Sequence, residues 1–301
     1  MAVSVAEYLG QRTDVAAPVI LPAQPGAQCP FMNGICDKVK KGDKPVCSVR
    51  KANGDWWITC RHRLCASKKN VALTQYQTDI LSEIAKTVFA PNITLGSVCV
   101  KREEAMPVCG SSTYHADYIM RVNGFTLPNS ACPTNVVLEM QGGGETSSTG
   151  AITRHVDIWE ASTTRTNALL GQSGLIANPI ETNAWRRQQE QFLVKGNIAI
   201  QTGGAMVFCM GKLLFDYLHH RFSGVYLNNL RAHGWSLCLI SVDEDKTVRS
   251  PGPIKLEIQH SKLLFTNYPT FVQVLTNQGQ PCPDMFRGQF EVLGGGTVSL
   301  P

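Results

Sequence analysis

The sequence predicts an α/β protein with a mixed central sheet flanked by helices and a small cysteine-rich module on its N-terminal side. Residues 73–141 read helix, strand, strand, strand, and the second half mixes helical and extended runs. Five of the eleven cysteines fall between Cys29 and Cys65. A chain of 301 residues suits one large domain, or a catalytic domain with an appended module. We therefore divide it into an arm (1–28), a four-cysteine metal-binding module (29–70) and a larger domain (71–301).

Residues 1–28 are mostly small and weakly patterned, as in an arm or leader. Leu73, Tyr76, Ile80, Leu81, Ile84, Val88 and Phe89 recur at helical spacing, and Pro91 and Asn92 close that helix. Three strands follow, over 95–101, 114–122 and 135–141. Pro107 and Gly110 separate the first two, and Asn123, Gly124, Pro128 and Asn129 the last two. Gly142, Gly143 and Gly144 come next, either as a turn or as a place where backbone approaches DNA closely. Beyond them, 181–194 and 212–222 read as helices, and 197–201, 206–210 and 235–242 as extended segments. The triplet Gly294–Gly296 marks a tail expected to fray.

Composition excludes several classes. Apolar residues make up 43%, too many for a disordered chain. No apolar run is long enough for a membrane helix. Met1 to Asp14 carries Glu7 and Asp14 against Arg12 and lacks the pattern of a signal peptide, so a cytoplasmic protein is expected. An odd cysteine count argues against a complete disulfide framework and for metal binding or burial. Between Asp37 and Lys69 there are ten Lys or Arg and three Asp, a local charge of +7 against +5 for the whole chain. A basic segment on a near-neutral body suits a polyanion such as DNA, and equally a solvated basic face.

The chemistry concentrates on the second and third strands. Glu139 and Gln141 stand two apart at the end of one strand and so share a face. Asp117 lies near the start of the preceding strand. If the two strands pair, Asp117 and Glu139 offer hard oxygen ligands to Mg²⁺, which takes few protein ligands and keeps several waters. Bound there, Mg²⁺ acidifies a water and stabilises charge on a phosphate, as phosphodiester hydrolysis requires. Glu103 and Glu104 follow the first strand, where a hairpin brings them near Asp117. We carry Glu103 as a further candidate acid.

Asp117, Glu139 and Gln141 resemble the PD-(D/E)XK nuclease pattern. Ala116 stands where that pattern has proline, and Gln141 where it has lysine. A glutamine orients a water by hydrogen bonds but brings no charge. The resemblance also implies a helix glutamate near the metal, for which Glu83 is the candidate beside Glu103.

The cysteines run Cys29, Cys36, Cys47, Cys60 and Cys65, wider apart than in zinc-finger knuckles. A segment so rich in lysine buries little apolar area, so a metal would hold it folded. Four thiolates suit zinc or iron. Cys29 to Lys38, Cys47 to Arg50 and Cys60 to Leu64 resemble the N-terminal signature of NotI-type restriction endonucleases, which occur in the Glu-x-Gln form. That resemblance spans about residues 25–160. It implies that Cys29, Cys36, Cys47 and Cys60 hold one structural metal, with Cys65 a spare or buried thiol. Cys99, Cys109, Cys132, Cys209, Cys238 and Cys282 default to core packing.

The same resemblance implies a homodimer that cuts double-stranded DNA at a GC-rich palindrome such as CGGCCG. Guanine is read by Arg or Lys in the major groove, and Arg154, Arg165, Arg186, Arg187 and Lys195 are the candidates. Basic residues of the module would clamp phosphates. Three rivals remain: a repair or recombination nuclease on the same core, a non-enzymatic metal-stapled DNA-binding protein, and a hydrolase of another class.

Overall fold

The computed structural model describes residues 2–16, 26–66, 68–106, 108, 114–172, 174–276 and 283–301. The elements run β1 (Val3–Tyr8), β2 (Gln11–Arg12), α1 (Asp37–Lys40), β3 (Val46–Lys51), β4 (Trp56–Ile58), α2 (Gln75–Val88), β5 (Val98–Met106), β6 (Tyr114–Val122) and β7 (Asn135–Gln141). They continue with α3 (Thr149–Ala161), α4 (Asn167–Leu170), α5 (Glu181–Gln201), β8 (Ala205–Gly211), α6 (Lys212–Phe222) and β9 (Leu237–Glu244). The chain closes with β10 (Leu256–Ile258), β11 (Leu264–Thr266), α7 (Tyr268–Thr276), β12 (Gly288–Glu291) and β13 (Thr297–Leu300).

The main sheet is mixed, in the order β10-β9-β8-β7-β6-β5, with β11 also pairing with β9, along the first half of that strand, where β10 pairs with its end. Strands β5, β6 and β7 are antiparallel neighbours, whereas β7, β8 and β9 run parallel. β8 and β9 are buried along their whole length, as strands covered on both faces must be. β6 alternates, with Ala116, Tyr118, Met120 and Val122 buried between more exposed partners.

Helices cover both faces. On one side α2 lays Leu81, Ile84, Ala85 and Val88 against Tyr118, Met120, Leu138 and Met140. Its start is fixed by a capping box between Thr74 and Gln77. On the other side, residues of α3, α5, α6 and α7 share a core with Val137, Met206 and Phe208. Side chains of β7 therefore divide: Val136, Leu138 and Met140 face α2, and Val137, Glu139 and Gln141 face α5.

A four-stranded sheet, β2-β1-β3-β4, forms the N-terminal module. It contributes Val3, Val5, Tyr8 and Trp57 to one core and Trp56, Ile58 and Leu64 to the other. Arg63 ties it down: the guanidinium and Glu7 are both fully buried, Nε to Oε2 is 2.8 Å, and Arg63 also donates to Tyr76 Oη and Ile254 O. The first two glycines after β7 are packing positions. A Cβ on Gly142 would lie 2.7 Å from Ile58 Cγ2, and one on Gly143 2.8 Å from the Trp57 ring. That favours a close junction with the module over an approach to DNA at Gly142 and Gly143.

Strands 114–122 and 135–141 and helix 212–222 stand where the pattern predicts them. Other expectations need correction. Residues 197–201 continue α5 instead of forming an extended segment, because the short apolar run of Ile198, Ala199 and Ile200 fits either period and here packs helically. The stretch read as an arm contains β1, which sits between β2 and β3. Gly294–Gly296 lie at the turn of the β12–β13 hairpin instead of a frayed end. Cys209 and Cys238 are core residues, but Cys99 is exposed on the edge strand β5, so burial does not account for it. Cys109, Cys282, Pro107 and Gly110 lie outside the described residues. Among the described residues, no helix is long and apolar enough to cross a membrane.

Candidate active site

The register of β6 on β7 pairs Tyr118 with Leu138, which sets Asp117 opposite Glu139 one step further on. Each carboxylate also touches the other strand. Glu139 Oε1 accepts from the Asp117 N–H at 3.2 Å, and Asp117 Oδ2 accepts from the Met140 N–H at 2.9 Å. On the other side of β6, the pairs Arg102–Tyr118 and Glu104–Ala116 bracket Glu103 opposite Asp117. Glu103, Asp117 and Glu139 thus form a row across three adjacent antiparallel strands. Glu103 has φ +43°, a left-handed conformation that costs a non-glycine residue energy and clusters at functional sites.

Burial is the main influence on these acids. It pushes Asp117 above the ordinary carboxylate value, helped by the Glu103 charge, against the Met140 N–H, Lys195 and Arg61. It pushes Glu139 up to about 8, reinforced by Asp117 and opposed by Lys195. Two like charges this close call for a cation between them.

A protein cation meets Glu139 directly. Lys195, on α5, is only 3% exposed, and its Nζ is 2.7 Å from Glu139 Oε2. A side chain so enclosed cannot read bases in a groove, so Lys195 leaves the group of DNA-reading candidates and joins the acidic site. Gln141 is half-buried, and its Nε2 donates to Gly143 O at 3.0 Å.

Glu83 is not part of this constellation. It lies on α2, which packs on the opposite face of the sheet, is 59% exposed, and pairs with Lys86. Arg61 is brought near, within electrostatic reach of Asp117, although it belongs to the cysteine module. The charge of that module was the one sequence signal for it. Lys195 had no signal tying it to Glu139, 56 residues away.

Arg154, Arg165, Arg186 and Arg187 are all exposed. Arg187 pairs with Glu145 at 2.6 Å, which places the start of α5 beside the loop that leaves β7. Arg165, between α3 and α4, donates to Glu160 O and so bends back on the end of α3.

The module's cysteines come from two local devices. The loop 28–36 closes through Cys29 N–H to Gly34 O (2.8 Å) and Cys36 N–H to Ala27 O (2.9 Å). The β3–β4 hairpin returns Cys60 to Cys47, whose carbonyl accepts from the Thr59 and Cys60 N–H groups. Burial pushes the Cys29 thiol up to about 11, against backbone N–H groups of Phe31 and Met32, with Cys60 and Cys36 close enough to add to the rise. Cys47 is raised by burial and then by Cys60. Cys29 thus lies within electrostatic reach of Cys36 and Cys60, and Cys47 within reach of Cys60. Among the described residues, however, no group of three or more His, Cys, Asp or Glu stands in an arrangement that holds a metal ion. Cys65 sits apart, buried under α2, with its carbonyl accepting from Tyr118 Oη at 2.6 Å.

No protein-family model matches the chain, and no curated protein matches it by sequence.

Proposed function

We propose that the chain is a Mg²⁺-dependent endonuclease of the type II restriction class, built on a PD-(D/E)XK core in its Glu-x-Gln form. One observation carries the reading: Asp117 and Glu139 face each other across β6 and β7 on the side of the sheet that holds Lys195. A buried and a half-buried carboxylate at one point offer hard oxygen donors for a small divalent cation. Such an ion, once bound, supplies an acidified water and neutralises charge on the phosphate. The chain's own groups do the rest. Asp117 and Glu139 hold the ion, Gln141 orients the water through its amide, and Glu103 adds negative charge from the edge strand. The exposed Arg61 and the basic module engage backbone phosphates. Cys29, Cys36, Cys47 and Cys60 hold a structural iron or zinc, which keeps the module folded beside the site. The substrate is double-stranded DNA with a GC-rich palindrome, cut by a homodimer whose two-fold symmetry matches that of its site.

Incubation of purified protein with plasmid DNA and Mg²⁺ tests this. Discrete fragments that vanish with Asp117→Ala support it. A protein that binds such DNA and never cuts it, with any divalent cation, overturns it. A smear or cutting at ends only would favour a repair nuclease.

A further inference from the structure

Lys195 is a buried ammonium paired with the buried Glu139 and near the half-buried Asp117, and burial of that kind is costly unless the charge is used. Replacing a buried ion pair by packed apolar groups is often neutral or stabilising, so packing alone gives weak grounds for a lysine here. The helix around it is also fixed with unusual care. A Cβ on Gly196 would lie 2.2 Å from the Tyr268 ring, so the absent side chain lets α7 close onto α5 at this turn. Tyr268 Oη then donates to Leu193 O at 2.6 Å and reaches Phe192 O at 3.2 Å. Phe192 is itself buried among Trp185, Phe208, Tyr268 and Phe271. These contacts set the rotation and height of the turn that carries Lys195.

We propose that Lys195 supplies, from α5, the positive charge that Gln141 cannot supply from β7. The inference rests on the nuclease reading. In the metal-free protein the ammonium stands on Glu139 as an internal counter-cation. Were a divalent ion held by Asp117 and Glu139, it would neutralise charge at a bound phosphate, and Lys195, no longer needed on Glu139, would be left to turn toward that phosphate. There it faces the charge that builds on the non-bridging oxygens during attack by water.

Three proteins test this: wild type, Lys195→Met, and Lys195→Met combined with Gln141→Lys. Lys195→Met is expected to cut about 10²–10³-fold more slowly in single turnover, the loss usual for one donor at a developing negative charge. The double variant, with the ammonium moved to β7, is expected to recover to within about tenfold of wild type. A readout without turnover is Ca²⁺ affinity of the DNA-free protein. With no internal cation competing for Glu139, Lys195→Met should bind Ca²⁺ about tenfold more tightly. A merely structural lysine would move neither the Ca²⁺ affinity upward nor the rate back on relocation. Should Lys195→Met melt early, Lys195→Gln keeps a donor to Glu139 without the charge and takes its place in all assays. Cleavage by Lys195→Met within about threefold of wild type, while Asp117→Asn is dead, overturns the lysine's role and leaves the nuclease reading intact. A wild type that cuts no DNA defeats the nuclease reading, and unchanged Ca²⁺ affinity in Lys195→Met would then remove the counter-cation role as well.

Discussion

Asp117 and Glu139 are each held by the other's strand: the Asp117 N–H donates to Glu139 Oε1, and Asp117 Oδ2 accepts the N–H of Met140, the residue after Glu139. The two side chains are positioned by backbone groups of the sheet itself, which makes the pair rigid before any ion arrives. The sheet pays for this in electrostatic repulsion, since burial raises both acids, the Glu103 charge adds to the rise of Asp117, and Asp117 adds to that of Glu139.

That repulsion predicts a split between activity and stability. Asp117→Asn keeps an acceptor for the Met140 N–H while removing one buried charge. Cleavage with Mg²⁺ should fall by about 10³-fold or more, and the metal-free protein should melt no earlier than wild type. DNA binding, followed in Ca²⁺ by gel shift or fluorescence anisotropy, should persist. A lower melting temperature in Asp117→Asn would mean that the pair is a structural element first.

The row across β5, β6 and β7 distinguishes two glutamates that sequence left equal. Glu103→Gln should lower the apparent Mg²⁺ affinity in cleavage by about 10- to 100-fold, the range found when groups around a metal site are removed. Glu83→Gln should stay within about twofold of wild type, because its side chain lies across the sheet and in solvent. Mg²⁺ titrations of both variants decide it, and the reverse ranking would remove Glu103 from the site.

Much of this arrangement was legible in the sequence. Alternation along 114–122 and the apolar run 135–141 gave both strand spans, and from them the face shared by Glu139 and Gln141. Whether Asp117 reached Glu139 depended on register, which no local pattern states and which the Tyr118–Leu138 pairing supplies. Glu83 and Glu103 could not be ranked, since facing is a property of the assembled sheet. Lys195 stood just past the expected helix 181–194 as a candidate reader of DNA, and only the packing of α5 over β7 turns it inward. Glu7 and the strand that carries it were hidden for a related reason. A fully buried glutamate reads as a solvent-facing one until Arg63 is brought to it.

The cysteine module should respond to substitution as a metal-held unit. Cys29→Ser and Cys60→Ser are expected to lose the iron or zinc proposed for the module and to melt below wild type, because a metal that binds only the folded module adds its binding free energy to stability. Cys65→Ser should keep the metal, since its thiol lies apart under α2. Elemental analysis of purified protein gives the metal content, and visible absorbance separates iron from colourless zinc. Full metal retention in Cys60→Ser would exclude the proposed ligand set.

Arg63 offers a sharper stability test. Its guanidinium is fully buried, spans Glu7, Tyr76 and Ile254, and lies 4.8 Å from the Trp56 ring centroid. Arg63→Met strands the buried Glu7 carboxylate without its partner, and the cost expected is about 3–5 kcal/mol. Glu7→Gln with Arg63→Met removes both charges and should recover a substantial part of that loss. Urea unfolding of the single and paired variants measures the coupling, and simple additivity would show that the pair contributes no specific interaction.

Acid stability should carry the mark of Asp216. Burial pushes its carboxyl up, but hydrogen bonds from Lys262 and Lys212, with their charges, hold it below the ordinary value. Asp55, bonded to the same Lys212, is lowered too. The unfolded chain, with an aspartate value near about 3.9, therefore takes up protons before the folded one does as pH falls. Stability from this network is fully present above about pH 4 and is lost as pH drops through the folded-state value. Asp216→Asn should lower stability modestly at pH 7, since the group is partly exposed and screened. It should also flatten the decline below about pH 4, because the proton it would have bound is no longer part of the balance. Urea midpoints across that range show whether the two curves converge in acid. Parallel curves would assign the acid sensitivity to other carboxylates.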